Sequence, residues 1–362
     1  MTKPDAKIVE KIKNDISLLF RHTDVKHEAI RELADLYFQR EVSRQTTRMT
    51  NAASAGIIPE SEEVDEGSYH PVDLDTLLRT QIKLPSLPLI FSQIMDLMSD
   101  PDSSANDFAK VIGNDPALTA KLLKIVNTAF YGYRSQIDTI SHAVMIIGTS
   151  ELYALCLSTS VLTLFKDIPS ILVDMTSFWK HSIGCGMIAR KIAARKGETN
   201  RERFFVAGLL HDIGRLIIYN NLPNQAHQAI AYAAHHKELL YNAETRVLGF
   251  DHAKIGGRIL DKWKLPVKLA DVVRFHHHPE NAPEPFDIDT AIIHLSDIIL
   301  NALQLGTSGE HLVPPLNPAA WKMIGLSVEM LPEIIQETES QIEEISNILI
   351  PRKQSNQSRR YY

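Results

Sequence analysis

The chain has 362 residues, 44% hydrophobic and 23% charged, with a formal net charge of −6. That length and balance suit one large globular domain with a smaller appendage, and the acid excess argues against a general polyanion binder. No apolar run is long enough to span a bilayer, residues 1–7 lack a signal-peptide stretch, and Cys156 and Cys185 read as reduced core residues of a cytoplasmic protein.

Helical periodicity begins at once, with Ile8, Ile12, Ile16 and Leu19 on one stripe and Ile30, Leu33, Leu36 and Tyr37 on another. These predict helices over 8–20 and 27–44, paired as an antiparallel hairpin near His22-Thr23-Asp24. Their apolar stripes need a partner surface, which predicts docking or a homodimer through these helices. Residues 46–69 are polar or small and carry the acidic run Glu60 to Glu66, the composition of a linker. The expected organisation is therefore an N-terminal helical segment (1–45), a flexible linker (46–69), a large domain (70–350) and a basic, frayed tail (351–362). The tail alone supports a nucleic-acid contact, so such a contact is not expected.

From His70 onward the pattern is helical throughout, with no strand signal. Helices are expected over 87–98, stopping at Ser99-Asp100-Pro101-Asp102, and over 105–112, stopping at Gly113. Asp115-Pro116 opens another, with proline in the first turn and Leu118, Leu122, Leu123 and Val126 on its face. Ser141 reads as the cap of a short helix to 147, and 149–165 as an apolar one. Further helices are expected over 175–195, 203–220, 224–237, 239–248, 252–263, 267–275, 288–303 and 332–348. The fold class is all-α.

The chemistry concentrates in the second half. Phe205-Val206-Ala207-Gly208-Leu209-Leu210 runs into His211-Asp212, and Ile213-Gly214-Arg215-Leu216-Ile217-Ile218 follows. The flanks read as one buried helix, and a carboxylate buried in it needs a metal ion or a cation. His181, Glu244, His252, His276, His277 and Asp297 also fall on or beside helices. Neutral imidazoles and carboxylates suit divalent iron, manganese or zinc, and helical bundles build such centres from inward-facing side chains.

Each residue also has a plainer reading. His211-Asp212 can be a hydrogen-bonded core pair, His276-His277-His278 a solvated helix end, and His181 a satisfied core histidine. Glu244 reads as an exposed helix residue, His294 as structural, His235-His236 as surface, and Arg215 as either a surface ion pair or a phosphate contact.

The order His181, His211-Asp212, Asp297 resembles the H…HD…D signature of the HD superfamily of metal-dependent phosphohydrolases. Leu84-Pro85-Ser86-Leu87-Pro88, Asp115 to Leu123, Asn127-Thr128-Ala129-Phe130-Tyr131-Gly132, Ile140 to Gly148, Trp263-Lys264-Leu265-Pro266 and Phe275 to Pro279 resemble the HDOD domain, the HD-related output domain. The resemblance implies an all-helical bacterial signalling module acting through contacts with signalling proteins, its metal-site half at about residues 170–305. By the same resemblance, His181, His211, Asp212 and Asp297 would hold one ion. Asp212 would bridge to a second held by His252, His276 and His277, with Glu244 as an extra ligand. The related HD-GYP group hydrolyses cyclic di-GMP, which makes a cyclic dinucleotide or other phosphoester the alternative ligand. This chain has Arg215 where catalytic relatives carry the lysine of HDIGK, and no GYP motif follows His276-His277.

Overall fold

A computed structural model of the chain describes residues 5–48, 69, 73–80, 82–83, 85–165, 168–283 and 288–350. Among the described residues the fold is all-α, without strands. The first helices are α1 (Ala6–Leu19), α2 (Glu28–Arg48), α3 (Leu74–Thr80), α4 (Leu89–Ser99), α5 (Ala105–Gly113) and α6 (Pro116–Val126). Next come α7 (Ile140–Ile147), α8 (Thr149–Leu162), α9 (Met175–Arg195), α10 (Glu202–Leu210), α11 (Ile213–Asn221) and α12 (Pro223–His236). The last are α13 (Leu240–Leu248), α14 (His252–Lys262), α15 (Val267–Phe275), α16 (Ile288–Leu303), α17 (Pro318–Ile324) and α18 (Met330–Leu349). Among the described residues no single helix is long and apolar enough to cross a membrane.

Local chemistry explains most boundaries. Asp115 accepts from the backbone N–H of Ala117 and Leu118, capping α6 with Pro116 in its first turn. Thr139, not Ser141, caps α7, its hydroxyl accepting from His142 N at 3.1 Å. The short α17 begins at Asn317, which caps it just ahead of Pro318. The stretch 203–220 is not one helix: α10 and α11 are separate, and His211-Asp212 is the junction between them.

The N-terminal hairpin packs onto the rest of the chain. Leu19, Phe20, Ala29, Ile30 and Leu33 share the main hydrophobic core with α9, α10 and α16. Val313 N–H donates to Leu19 O at 2.9 Å, and Trp321 Nε1 donates to Glu28 Oε1 at 3.2 Å. The stripes expected to seek a partner thus meet a surface within the chain. Residues 49–68, the bulk of the expected linker, and the tail 351–362 lie outside the described residues, whereas α2 runs through to Arg48.

Two close approaches of backbone set the frame of the second half. A Cβ on Gly208 would lie 2.5 Å from Gly186 Cα, so α9 and α10 cross in backbone contact. A Cβ on Gly214 would lie 2.8 Å from the carbonyl carbon of His252, so α11 meets the start of α14 equally closely. Only glycine permits either crossing. Together they draw His181 on α9, the doublet after α10 and His252 on α14 toward one point, while α16 packs against α9, α10 and α15.

Candidate metal centre

The imidazole of His211 explains why the doublet interrupts the helix. Its Nδ1 lies 2.6 Å from Gly208 O, the carbonyl that an unbroken helix would offer to residue 212. The chain turns there, and Asp212 becomes the first cap of α11. The end of α15 repeats the arrangement, with His276 Nδ1 2.7 Å from Val273 O. A carbonyl only accepts, so both rings carry hydrogen on Nδ1 and present Nε2 to the interior.

Seven side chains converge into two groups: His181, His211, Asp212 and Asp297 in one, and Asp212, His252, His276 and His277 in the other. His211 Nε2 lies 3.2 Å from Asp212 Oδ2, and His181 Nε2 lies 3.1 Å from Asp297 Oδ1. On the other side, His252 Nε2 lies 2.8 Å from Asp212 Oδ1 and 3.0 Å from His277 Nε2. Asp212 therefore offers one oxygen to each group. All seven are buried, the most accessible being His277 at 7%.

The donors fit a divalent ion on the structure's own terms. His276 Nε2 is a buried polar atom without a hydrogen-bond partner, and Asp212 Oδ1 and His211 Nε2 are held only by ion-pair contacts at 2.8 and 3.2 Å within the cluster itself. Such atoms are costly in a dry interior and are commonly satisfied by a bound water or ion. Two donors at right angles, each about 2.1 Å from one ion, stand about 3.0 Å apart, close to the separations found here. The plainer reading of the His276-His277 pair as a solvated helix end does not describe these buried positions, whereas His181 is a buried histidine hydrogen-bonded to Asp297, as its plainer reading expects.

The remaining sequence-expected residues take supporting places. Glu244 is buried but belongs to neither group: its Oε2 lies 2.6 Å from His252 Nδ1 and accepts from His252 N at 2.8 Å. It holds the ring from behind, the role carboxylates commonly play toward metal-bound histidines. Arg215 is fully buried instead of forming a surface pair, with Nη1 2.5 Å from Ser308 Oγ, Nη1 3.7 Å from Asp212 Oδ2 and Nε 3.4 Å from Glu244 Oε1. His294 spans His276 O at 2.7 Å and Asn317 N at 3.0 Å, a structural bridge. His235 and His236 are exposed.

Asn301, Ser308 and Tyr219 join the site without standing out in the sequence. Asn301 Nδ2 donates to Asp297 Oδ1 at 2.8 Å, and Tyr219 donates to Ser308 O at 3.0 Å, fixing the loop that holds Arg215. The placement of Asn301 four residues after Asp297 on an apolar helix is a legible signal. Ser308 lies in a loop and carries none.

Burial penalises every charge here, and partners decide which survive. Arg215, with His211 and His252, holds Asp212 well below the usual carboxylate range despite that penalty. Hydrogen bonds from His181 and His211 do the same for Asp297. Burial and the neighbouring His211 and His252 push His276 down to about 3, and His277 is likewise lowered by burial and by His276.

The HDOD domain family model matches residues 84–279, more than half of the chain. The chain belongs to the HDOD family. It is similar to an HDOD domain protein of unknown function from Geobacter sulfurreducens, at 26% identity and a TM-score of 0.62, over 76% of this chain and 95% of that one. A provisionally named phosphohydrolase from Shewanella amazonensis superposes with a TM-score of 0.62 at 24% identity, over 78% of this chain and 100% of that one, a likeness of fold. An uncharacterized protein of Treponema pallidum is 24% identical over 70% of this chain and 49% of its own length, so the chain spans about half of that curated relative.

Proposed function

We propose that this HDOD chain is a cytoplasmic regulatory protein, acting on signalling proteins through its outer surface, with a buried centre for divalent iron, manganese or zinc that ties its helices together. The burial of the seven donors carries the reading. An ion among them links α9, the α10–α11 junction, α14, α15 and α16, and the surrounding side chains leave it no broad face for a large substrate. Arg215 adds support: its guanidinium is committed to Ser308, Asp212 and Glu244 and is not held free for a phosphate.

When bound, such an ion supplies Lewis acidity and a coordinated water of lowered pKa. The chain's own residues set up the rest. Gly208 O and Val273 O fix two ring tautomers, Glu244 orients His252, and Asn301 orients Asp297. The alternative is a metal-dependent phosphohydrolase acting on a cyclic dinucleotide or another phosphoester. It draws on one observation, that Asp212 offers a separate oxygen to each group, as a bridging carboxylate does in two-metal hydrolases.

Elemental analysis of the purified chain, followed by a cyclic di-GMP hydrolysis assay with manganese and with iron, separates the two. The expected result is stoichiometric metal without turnover, and partner capture that persists in His211→Ala and Asp212→Ala. Turnover by the wild-type chain that both substitutions abolish would establish the hydrolase.

A further inference from the structure

A second site lies apart from the metal centre. Helices α1 and α2, the α12–α13 turn and residues 304–312 enclose a cavity of about 380 Å³. That volume falls within the range of small-molecule pockets, about 300–1,000 Å³. Its apolar lining includes Leu18, Leu19, Ile230 and Leu240. The walls from α1, α2 and 304–312 lie outside residues 84–279, the part matched by the family model.

Most charges on the wall are already committed. Glu41 pairs with Arg44 at 2.9 Å, and Glu310 accepts from the backbone N–H of Leu240 and Leu312 at 2.7 and 3.0 Å. Glu238 accepts from Leu239 N at 2.9 Å and from Asn242 Nδ2 at 3.0 Å. Three remain: Asp15, Lys11 and Lys237 line the cavity and enter no ion pair among the described residues. One free carboxylate and two free ammoniums beside an apolar lining are complementary to a molecule carrying both charges on an apolar body.

Backbone conformation singles out the same place. Of the three non-glycine residues with positive φ among the described residues, Lys237 (52°) and Gln304 (51°) both line this cavity. Lys237 ends α12 in the left-handed conformation that glycine adopts most cheaply. Holding a lysine and a glutamine in that conformation costs backbone energy, and such strain gathers at functional sites.

We infer that this cavity binds a small zwitterion with an apolar body, an apolar amino acid or dipeptide, its ammonium at Asp15 and its carboxylate at Lys11 and Lys237. The wall also reaches the metal centre. Gln304 Nε2 donates to Asn301 O at 2.7 Å, and Asn301 holds Asp297. Ser308, next to the wall residue Gly309, is the partner of Arg215. A ligand that stiffens 304–312 therefore acts on both, an effector role that rests on the regulatory reading above, whereas the binding itself does not.

Titration calorimetry on the full chain, with L-leucine, L-leucyl-L-leucine and the N-acetylated and C-amidated forms of the dipeptide, tests the inference. At least one free form should bind, and capping either end of the dipeptide should weaken it tenfold or more. Asp15→Asn should lower affinity for the free dipeptide to that of its N-acetylated form, and Ala234→Trp should fill the space and abolish binding. Absence of heat from every compound at about 10 mM would overturn the inference. So would equal affinity for capped and free dipeptide, or unchanged affinity in Asp15→Asn, a conservative change that keeps the fold. Running the titrations on metal-free and metal-loaded chain separates the two readings. Binding by a chain that takes up no metal sinks the metal centre and leaves this site standing.

Discussion

Replacing Asp212 by asparagine keeps the side chain's shape and removes the one charge that both halves of the centre share. Its Oδ2 faces His211 at 3.2 Å and its Oδ1 faces His252 at 2.8 Å. In the metal-free chain the substitution strips a carboxylate from Arg215, and a buried pair that loses one partner costs about 3–5 kcal/mol. Glu244 Oε1, 3.4 Å from Arg215 Nε, retains part of the neutralisation and places the cost near the lower end. In the loaded chain each ion held at 100 times its Kd adds about 2.7 kcal/mol, so two add about 5 kcal/mol. Urea unfolding with and without chelator measures both components, and mass spectrometry counts the metal. Asp212→Asn should lose both equivalents, His181→Gln only the first and His277→Gln only the second. Retention of two equivalents by Asp212→Asn, or loss of both by either histidine variant, would refute the shared-carboxylate geometry.

Gly208→Ala places a methyl group 2.5 Å from Gly186 Cα, where backbone cannot yield, so α9 and α10 must separate. A loss of about 1–3 kcal/mol in urea unfolding is expected, accompanied by weaker metal binding because His181 and His211 ride on the two helices. Glu244→Gln removes the charge behind His252 and should lower metal affinity about 10–100-fold in competition with a chelator while the fold persists. The metal-free chain should be most stable near neutral pH. His276, lowered to about 3, contributes stability that is present above its unfolded value of about 6.5 and lost as pH falls toward 3. His252, raised to about 9, contributes stability that is present below about 6.5 and lost as pH rises through 9. Urea titrations from about pH 4 to 10 would show a maximum, and a profile rising steadily across that range contradicts the assignments.

The helical class and most helix positions were legible because apolar residues recur at helical spacing, as Leu118, Leu122 and Val126 do on α6. The break at His211-Asp212 was not, since apolar residues on both sides continue one helical pattern. A ring nitrogen taking the Gly208 carbonyl ends the helix there, a contact that periodicity does not register. The grouping of the metal-site donors came from family resemblance, because His181 and Asp297 are 116 residues apart in sequence and meet only through helix packing. Glu244 shows the limit of residue type as evidence. Its carboxylate suits a metal, yet the start of α14 turns His252 between it and the centre. The cavity left no sequence signal, since its walls come from four separate stretches of chain.

The charge balance of the centre explains how one set of residues serves both with and without metal. Asp212, Asp297 and Glu244 are buried carboxylates, and Arg215 is the one guanidinium among them. The remaining negative charge requires cations. In the metal-free chain two imidazoles supply them: His211, against the cost of burial, is held well above its usual range by Asp212, and His252 is raised to about 9 by Glu244 and Asp212 against burial and Arg215. His276 and His277 stay neutral and keep their lone pairs. His276 and His277 would serve a divalent ion as ready donors, and His211 and His252 would have to give up their Nε2 protons to join them while their Nδ1–H groups go on donating to Gly208 O and Glu244. Metal uptake would thus release protons, and its affinity would rise with pH until both imidazoles are neutral.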